Sequence, residues 1–118
     1  MLRFRTFVVA AGLAAFTLTA SAEAALPKLV GTVGPGFTIT LKRLNKPLRT
    51  LPAGRYSITV SDKSNIHNFH LKGPGLNKEI TTVGFVGTKT VIVALKKGRY
   101  SFVCDPHFTS MHGSFTVS

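Results

Sequence analysis

The sequence holds one cysteine, four acids and, beyond its first twenty residues, no long hydrophobic run. Each shortage excludes something. A single cysteine, Cys104, cannot close a disulfide within the chain, so a cross-linked scaffold is out. Taken alone, such a residue is most often a small buried hydrophobe; its neighbours decide otherwise below. Four Asp and Glu stand against fifteen Lys and Arg, for a formal charge of +11. That balance suits an acidic partner or an anionic membrane surface. The bases are spread, with Lys42, Arg43, Lys46 and Arg49 in one segment and Lys96, Lys97 and Arg99 in another. No compact basic run exists, which with export argues against nucleic acid. A sustained helical period is missing after residue 24, and 118 residues leave room for one domain only. No nucleophile is paired with a base, so nothing indicates an enzyme.

The first residues read as a targeting segment. Arg3 and Arg5 precede an uncharged, mostly apolar run from Phe7 to Ala20, and Ala20-Ser21-Ala22 and Ala22-Glu23-Ala24 each offer a cleavage signal. The run is 14 residues, shorter than the roughly 20 a spanning helix needs. Residues 1–24 are therefore expected to be a signal peptide, and 25–118 the exported domain, periplasmic or extracellular. No cysteine near the cut suggests a lipid anchor. The domain keeps 13 bases against 3 acids, a formal charge of +10.

Within that domain apolar and polar residues alternate with period two. Phe37, Ile39 and Leu41 share one face; Tyr56, Ile58 and Val60 repeat the pattern, as do Val91, Val93 and Leu95, then Tyr100, Phe102 and Cys104, then Phe115 and Val117. Gly- and Pro-rich turns separate the runs. The pattern predicts an all-β, antiparallel Greek-key sandwich or barrel of seven to eight strands. Leu51-x-x-Gly-Arg-Tyr56-Ser57 is echoed by Leu95-x-x-Gly-Arg-Tyr100-Ser101. The echo predicts two tight turns, each followed by a strand whose tyrosine faces the core and caps a corner with its hydroxyl.

The segment from Cys104 to Met111 places a thiolate, the His107 imidazole and a thioether within eight residues, in a loop between two strands. Ile66-His67-Asn68-Phe69-His70-Leu71 supplies further imidazoles. One cysteine sulfur, two histidine nitrogens and a weak axial thioether form the ligand set of a blue-copper site. Strand parity puts His67 with Phe69 and Leu71 on the core side and His70 on the other, favouring His67. His112 competes with Met111 for the fourth position, but as its neighbour at the start of a strand it should point away.

On these residues the chain resembles the plastocyanin-like cupredoxins, a family of small type 1 copper proteins. His67-Asn68 resembles the His-Asn that opens that family's metal site. Cys104-Asp-Pro-His107 resembles its Cys-x-Pro-His loop, and Met111-His-Gly113 its Met-x-Gly exit into the last strand. Three residues stand between His107 and Met111, one fewer than in plastocyanins. The resemblance implies one copper ion held by His67, Cys104, His107 and Met111, with Asn68 and Pro106 positioning the ligand loops. It also implies a monomeric one-electron carrier that docks on redox partners, and the positive charge predicts an acidic docking surface on at least one of them, with Lys42, Arg43, Lys46, Lys96 and Lys97 as candidate contacts. A copper storage or delivery protein, or a zinc site closed by Cys104, His67, His107 and His112, are the alternatives.

Overall fold

The computed structural model describes residues 9–15 and 25–118, so the expected signal peptide lies largely outside the described residues. From residue 28 onward the chain is almost all strand. Ten strands follow one another: β1 (Lys28–Val33), β2 (Ile39–Arg43), β3 (Lys46–Pro47), β4 (Thr50–Leu51), β5 (Gly54–Asp62), β6 (Phe69–Gly73), β7 (Leu76–Thr81), β8 (Gly87–Leu95), β9 (Gly98–Val103) and β10 (His112–Val117). A single 3-10 turn, Asp105–His107, interrupts the last connection. Eight of the ten have five residues or more, the expected number; β3 and β4 have two each, too short to show any alternation.

The strands form two five-stranded sheets, ordered β3-β2-β1-β5-β8 and β4-β10-β9-β6-β7. Two ladders are parallel, β1 with β5 and β10 with β4, where an antiparallel sandwich was expected. Period-two alternation buries one face in either ladder, so side-chain pattern does not distinguish strand direction.

The inner faces meet in one core. Tyr56, Ile58 and Val60 from β5 pack with Leu29 and Val33 from β1, and against Phe69, Leu71, Tyr100, Phe102 and Phe115 from the opposite sheet. Phe69 stacks on Phe102 with centroids 5.7 Å apart, and Tyr100 on Phe115 at 5.4 Å. The stacking of Tyr100 needs Gly73 across from it, because a Cβ there would lie 2.1 Å from the Tyr100 ring.

Both echoed tyrosines face the core and bond at corners. Tyr56 donates its hydroxyl to the Pro52 carbonyl at 2.6 Å. The Tyr100 hydroxyl donates to the Pro74 carbonyl at 2.9 Å and accepts the Lys96 amide at 3.0 Å. These corners tie down the end of the sandwich where β8 turns into β9. At the other end, β5 closes on Asp62 opposite Val33 and Gly87, and the connections there carry the histidines and the cysteine.

Candidate metal centre

Cys104 is the first residue past β9 and continues its inward-facing row, so its thiol is fully buried. The chain then closes a compact loop with its own backbone. The His107 amide donates to the Cys104 carbonyl at 3.0 Å, Met111 to His107 at 2.8 Å, and Cys104 to the Met111 carbonyl at 3.0 Å. Pro106 suits the first turn of the 3-10 segment, where its fixed φ is helical and its missing N–H is not needed. This turn carries the His107 side chain back toward the sulfur. Met111 is buried on the return, and β10 begins at His112.

The third donor comes from the connection between β5 and β6. His67 is fully buried, and its Nδ1 lies 3.1 Å from Nδ1 of His107. The Cys104 sulfur is 3.6 Å from each of those nitrogens. A point equidistant from the three atoms lies about 2.0 Å from each, matching metal–imidazole bonds of about 2.0–2.1 Å and approaching the roughly 2.3 Å of metal–thiolate bonds. The donor triangle therefore fits one small metal ion without rearrangement. Nε2 of His67 points away from the triangle and has no partner among the described residues.

Asn68, buried beside His67, joins the two loops. Its Oδ1 accepts the Asp105 backbone amide at 2.7 Å, and its Nδ2 donates to Oδ2 of Asp105 at 2.7 Å and to Glu79 at 3.4 Å. His70 has both ring nitrogens engaged elsewhere, Nδ1 with Oδ2 of Asp105 at 2.7 Å and Nε2 with Oδ1 of Asn77. Burial pushes the Asp105 carboxyl up, but the hydrogen bonds from Asn68 and His70 and the charges of His70 and Lys72 outweigh it. Its pKa is held below the ordinary carboxylate value. The structure thus brings together donors from His67, Cys104 and His107, with Met111 buried on the same loop. It does not bring His70 or the exposed His112 to them.

Solved structures share this architecture. Rusticyanin from Thiobacillus ferrooxidans superposes with a TM-score of 0.56 at 23% identity, over 77% of this chain and 76% of that one. Reduced rusticyanin gives 0.56 at 24%, covering 77% and 78%, and rusticyanin is a copper protein. A reduced variant of amicyanin gives 0.51 at 18%, covering 82% and 88%. The chain has the cupredoxin fold. No protein-family model and no curated protein sequence matches it. With His67, Cys104, His107 and Met111 at one end, the chain carries a donor set able to hold one copper ion.

Two features of that end were not anticipated. Phe37 was expected to share a strand face with Ile39 and Leu41, but β2 begins only at Ile39, and Phe37 is 61% exposed. It stands edge-on against both histidines, with centroids 5.4 Å from His67 and 5.0 Å from His107. Gly34 makes this possible: it has φ of 71°, and a Cβ there would lie 2.9 Å from the Ser64 Cβ and 3.3 Å from the His67 ring. The Gly34-Pro35-Gly36 sequence signalled a turn without saying what it packs on. Asp105 is the other, and only its place between Cys104 and Pro106 pointed to it. Conversely, the bases named from the sequence do not lie here. Lys42, Arg43 and Lys46 belong to the β2–β3 hairpin, and Lys96 and Lys97 to the β8–β9 turn, at the opposite end from Cys104.

Proposed function

We propose that the chain is an exported one-electron carrier, not an enzyme, that holds one copper ion between His67, Cys104, His107 and Met111. The observation that carries this reading is the triangle of two imidazole nitrogens and one sulfur, with sides of 3.1, 3.6 and 3.6 Å. Copper bound there supplies a couple between Cu(II) and Cu(I). The polypeptide does the rest. Cys104 offers a soft sulfur that favours Cu(I), and the imidazoles accept either state. Met111, buried on the same loop, would add a weakly donating thioether. Asn68 and the closed backbone loop hold these donors in place, so little has to move when the charge changes.

Zinc and copper-delivery readings find less support. A zinc tetrahedron needs His112, which is exposed and faces away on β10. A delivery site needs a labile ion, and two of these donors, His67 and Cys104, are fully buried.

His107 is the ligand nearest solvent, and around it Phe37 and Phe108 are 61% and 65% exposed. This apolar rim is the surface on which a partner would sit to exchange the electron, the monomer docking reversibly. The +10 charge of residues 25–118 favours an acidic partner through long-range steering, which raises the on-rate without tight binding. Export rests on the charged and apolar pattern of residues 1–24. The test is voltammetry of the copper-loaded protein: a reversible wave of one electron per chain is expected. A loaded protein that gives no reversible wave would rule out electron carriage.

A further inference from the structure

The acids of the domain are gathered at one end. All three acids of residues 25–118 belong to the metal end: Asp105 follows Cys104, Glu79 bonds Asn68, and Asp62 closes β5. The far end has none. There the β2–β3 hairpin and the strand that follows present Lys42, Arg43, Lys46 and Arg49, and the β8–β9 turn presents Lys96 and Lys97. β10 lies between the two groups: the Thr116 amide donates to the Arg49 carbonyl at 2.9 Å on one side, and Thr116 pairs with Arg99 at the start of β9 on the other. The five steps of β9 from Gly98 to Val103 put this pole roughly 17 Å from the metal end. Among the described residues the ion pairs involve Asp105 alone, so none of these six cations is neutralised by one.

At the tip of the hairpin stands Leu44. It is 87% exposed, with φ of 51°, and Asn45 beside it has φ of 62°. A two-residue turn with both φ positive favours Asn-Gly. Leucine there is costly twice over, in a left-handed backbone and in apolar surface given to water. Beneath it, Arg43, Lys46 and Arg49 line a groove of about 410 Å³ with Pro47 and Leu48.

We propose that this pole docks on an anionic lipid surface, Leu44 entering the boundary of the acyl region while Arg43, Lys46 and Arg49 beside it stay among the headgroups, so that the metal end faces away from the bilayer. An apolar tip flanked by unneutralised cations fits such a surface, where apolar insertion and charge attraction add. An acidic protein would answer the cations but would also need a pocket for Leu44. The proposal stands on the pole alone and holds whichever ion the other end carries.

The test is co-sedimentation of the exported protein, residues 25–118, with vesicles of phosphatidylcholine alone and of equal parts phosphatidylcholine and phosphatidylglycerol. Circular dichroism checks that each variant is folded. Binding to the anionic vesicles only, released by salt, is expected. Each cation brought to an anionic leaflet raises the partition about fivefold, so Lys42→Gln, Arg43→Gln and Lys46→Gln together should lower it on the order of 100-fold. Leu44→Ser should lower it about tenfold. Lys96→Gln with Lys97→Gln, in a separate turn, keeps the test open if the hairpin variant fails to fold, and should also weaken binding. Equal binding to both vesicle types, or folded charge variants that bind as the parent does, would overturn the proposal. If soluble polyglutamate binds as tightly as the anionic vesicles and Leu44→Ser alters neither, the pole serves an acidic protein and the membrane proposal fails.

Discussion

Asn68 is the residue on which both metal-bearing loops depend. One buried amide satisfies the Asp105 backbone N–H and one Asp105 carboxylate oxygen at the same time, both at 2.7 Å. Asn68→Ala leaves that N–H without its partner, and the loss should cost about 2–4 kcal/mol in denaturant unfolding of the metal-free protein. The two upstream histidines should separate cleanly. His67→Ala is expected to weaken copper binding and alter the spectrum, whereas His70→Ala, which frees only Asp105 and Asn77, should leave both nearly intact; the reverse order would displace His67 from the site. Met111→Leu should keep copper and colour but raise the midpoint potential, because losing a weak sulfur donor disfavours Cu(II) more than Cu(I). An unchanged potential in voltammetry would remove Met111 from the ligand set. At this scale the sequence was legible where chemistry is local, as in Cys104, His107 and Met111 within one loop. It was less so where strand parity was extended past a strand's end. β6 begins only at Phe69 and its ladder with β7 shifts between Phe69 and His70, so His67 and Asn68, neighbours in a loop, are both buried. Phe37 stands outside β2 for a similar reason.

Among the elements, the two tyrosine corners were legible because a repeated Gly-Arg-Tyr-Ser marks the same geometry twice. Tyr100 serves the end of the sandwich far from the donors, bonding the Pro74 carbonyl and the Lys96 amide. Tyr100→Phe strands both groups and should destabilise the fold by about 1–3 kcal/mol. The visible spectrum of the copper-loaded variant should match the parent's, since the ligand loop is anchored by its own backbone bonds. A changed spectrum would mean that the far end reaches the donors through β9. The two-residue strands β3 and β4 and the parallel ladders were not legible. Both depend on which sheet the chain joins after its hairpin, and a buried-face pattern is silent on that choice.

For the whole molecule, the arrangement separates two surfaces: an apolar rim around His107 and a basic pole beyond the far turns. Net charge was legible from composition, but the gathering of the three acids at the metal end was not, because it depends on the register that places Lys42 and Lys96 away from Cys104. Electron exchange with a partner protein should therefore slow more for Phe108→Asp, beside His107, than for Lys96→Glu with Lys97→Glu, as read in stopped-flow rates. The opposite ranking would place the electron's entry at the basic pole. All of this presupposes that Cys104 binds copper through sulfur, and the visible absorption of the Cu(II)-loaded protein beside its Cys104→Ser variant tests that most directly. An intense band in the parent, lost in the variant because a hydroxyl cannot supply sulfur-to-copper charge transfer, is the predicted result. A parent that takes up Cu(II) without colour, or a serine variant as strongly coloured as the parent, would contradict it.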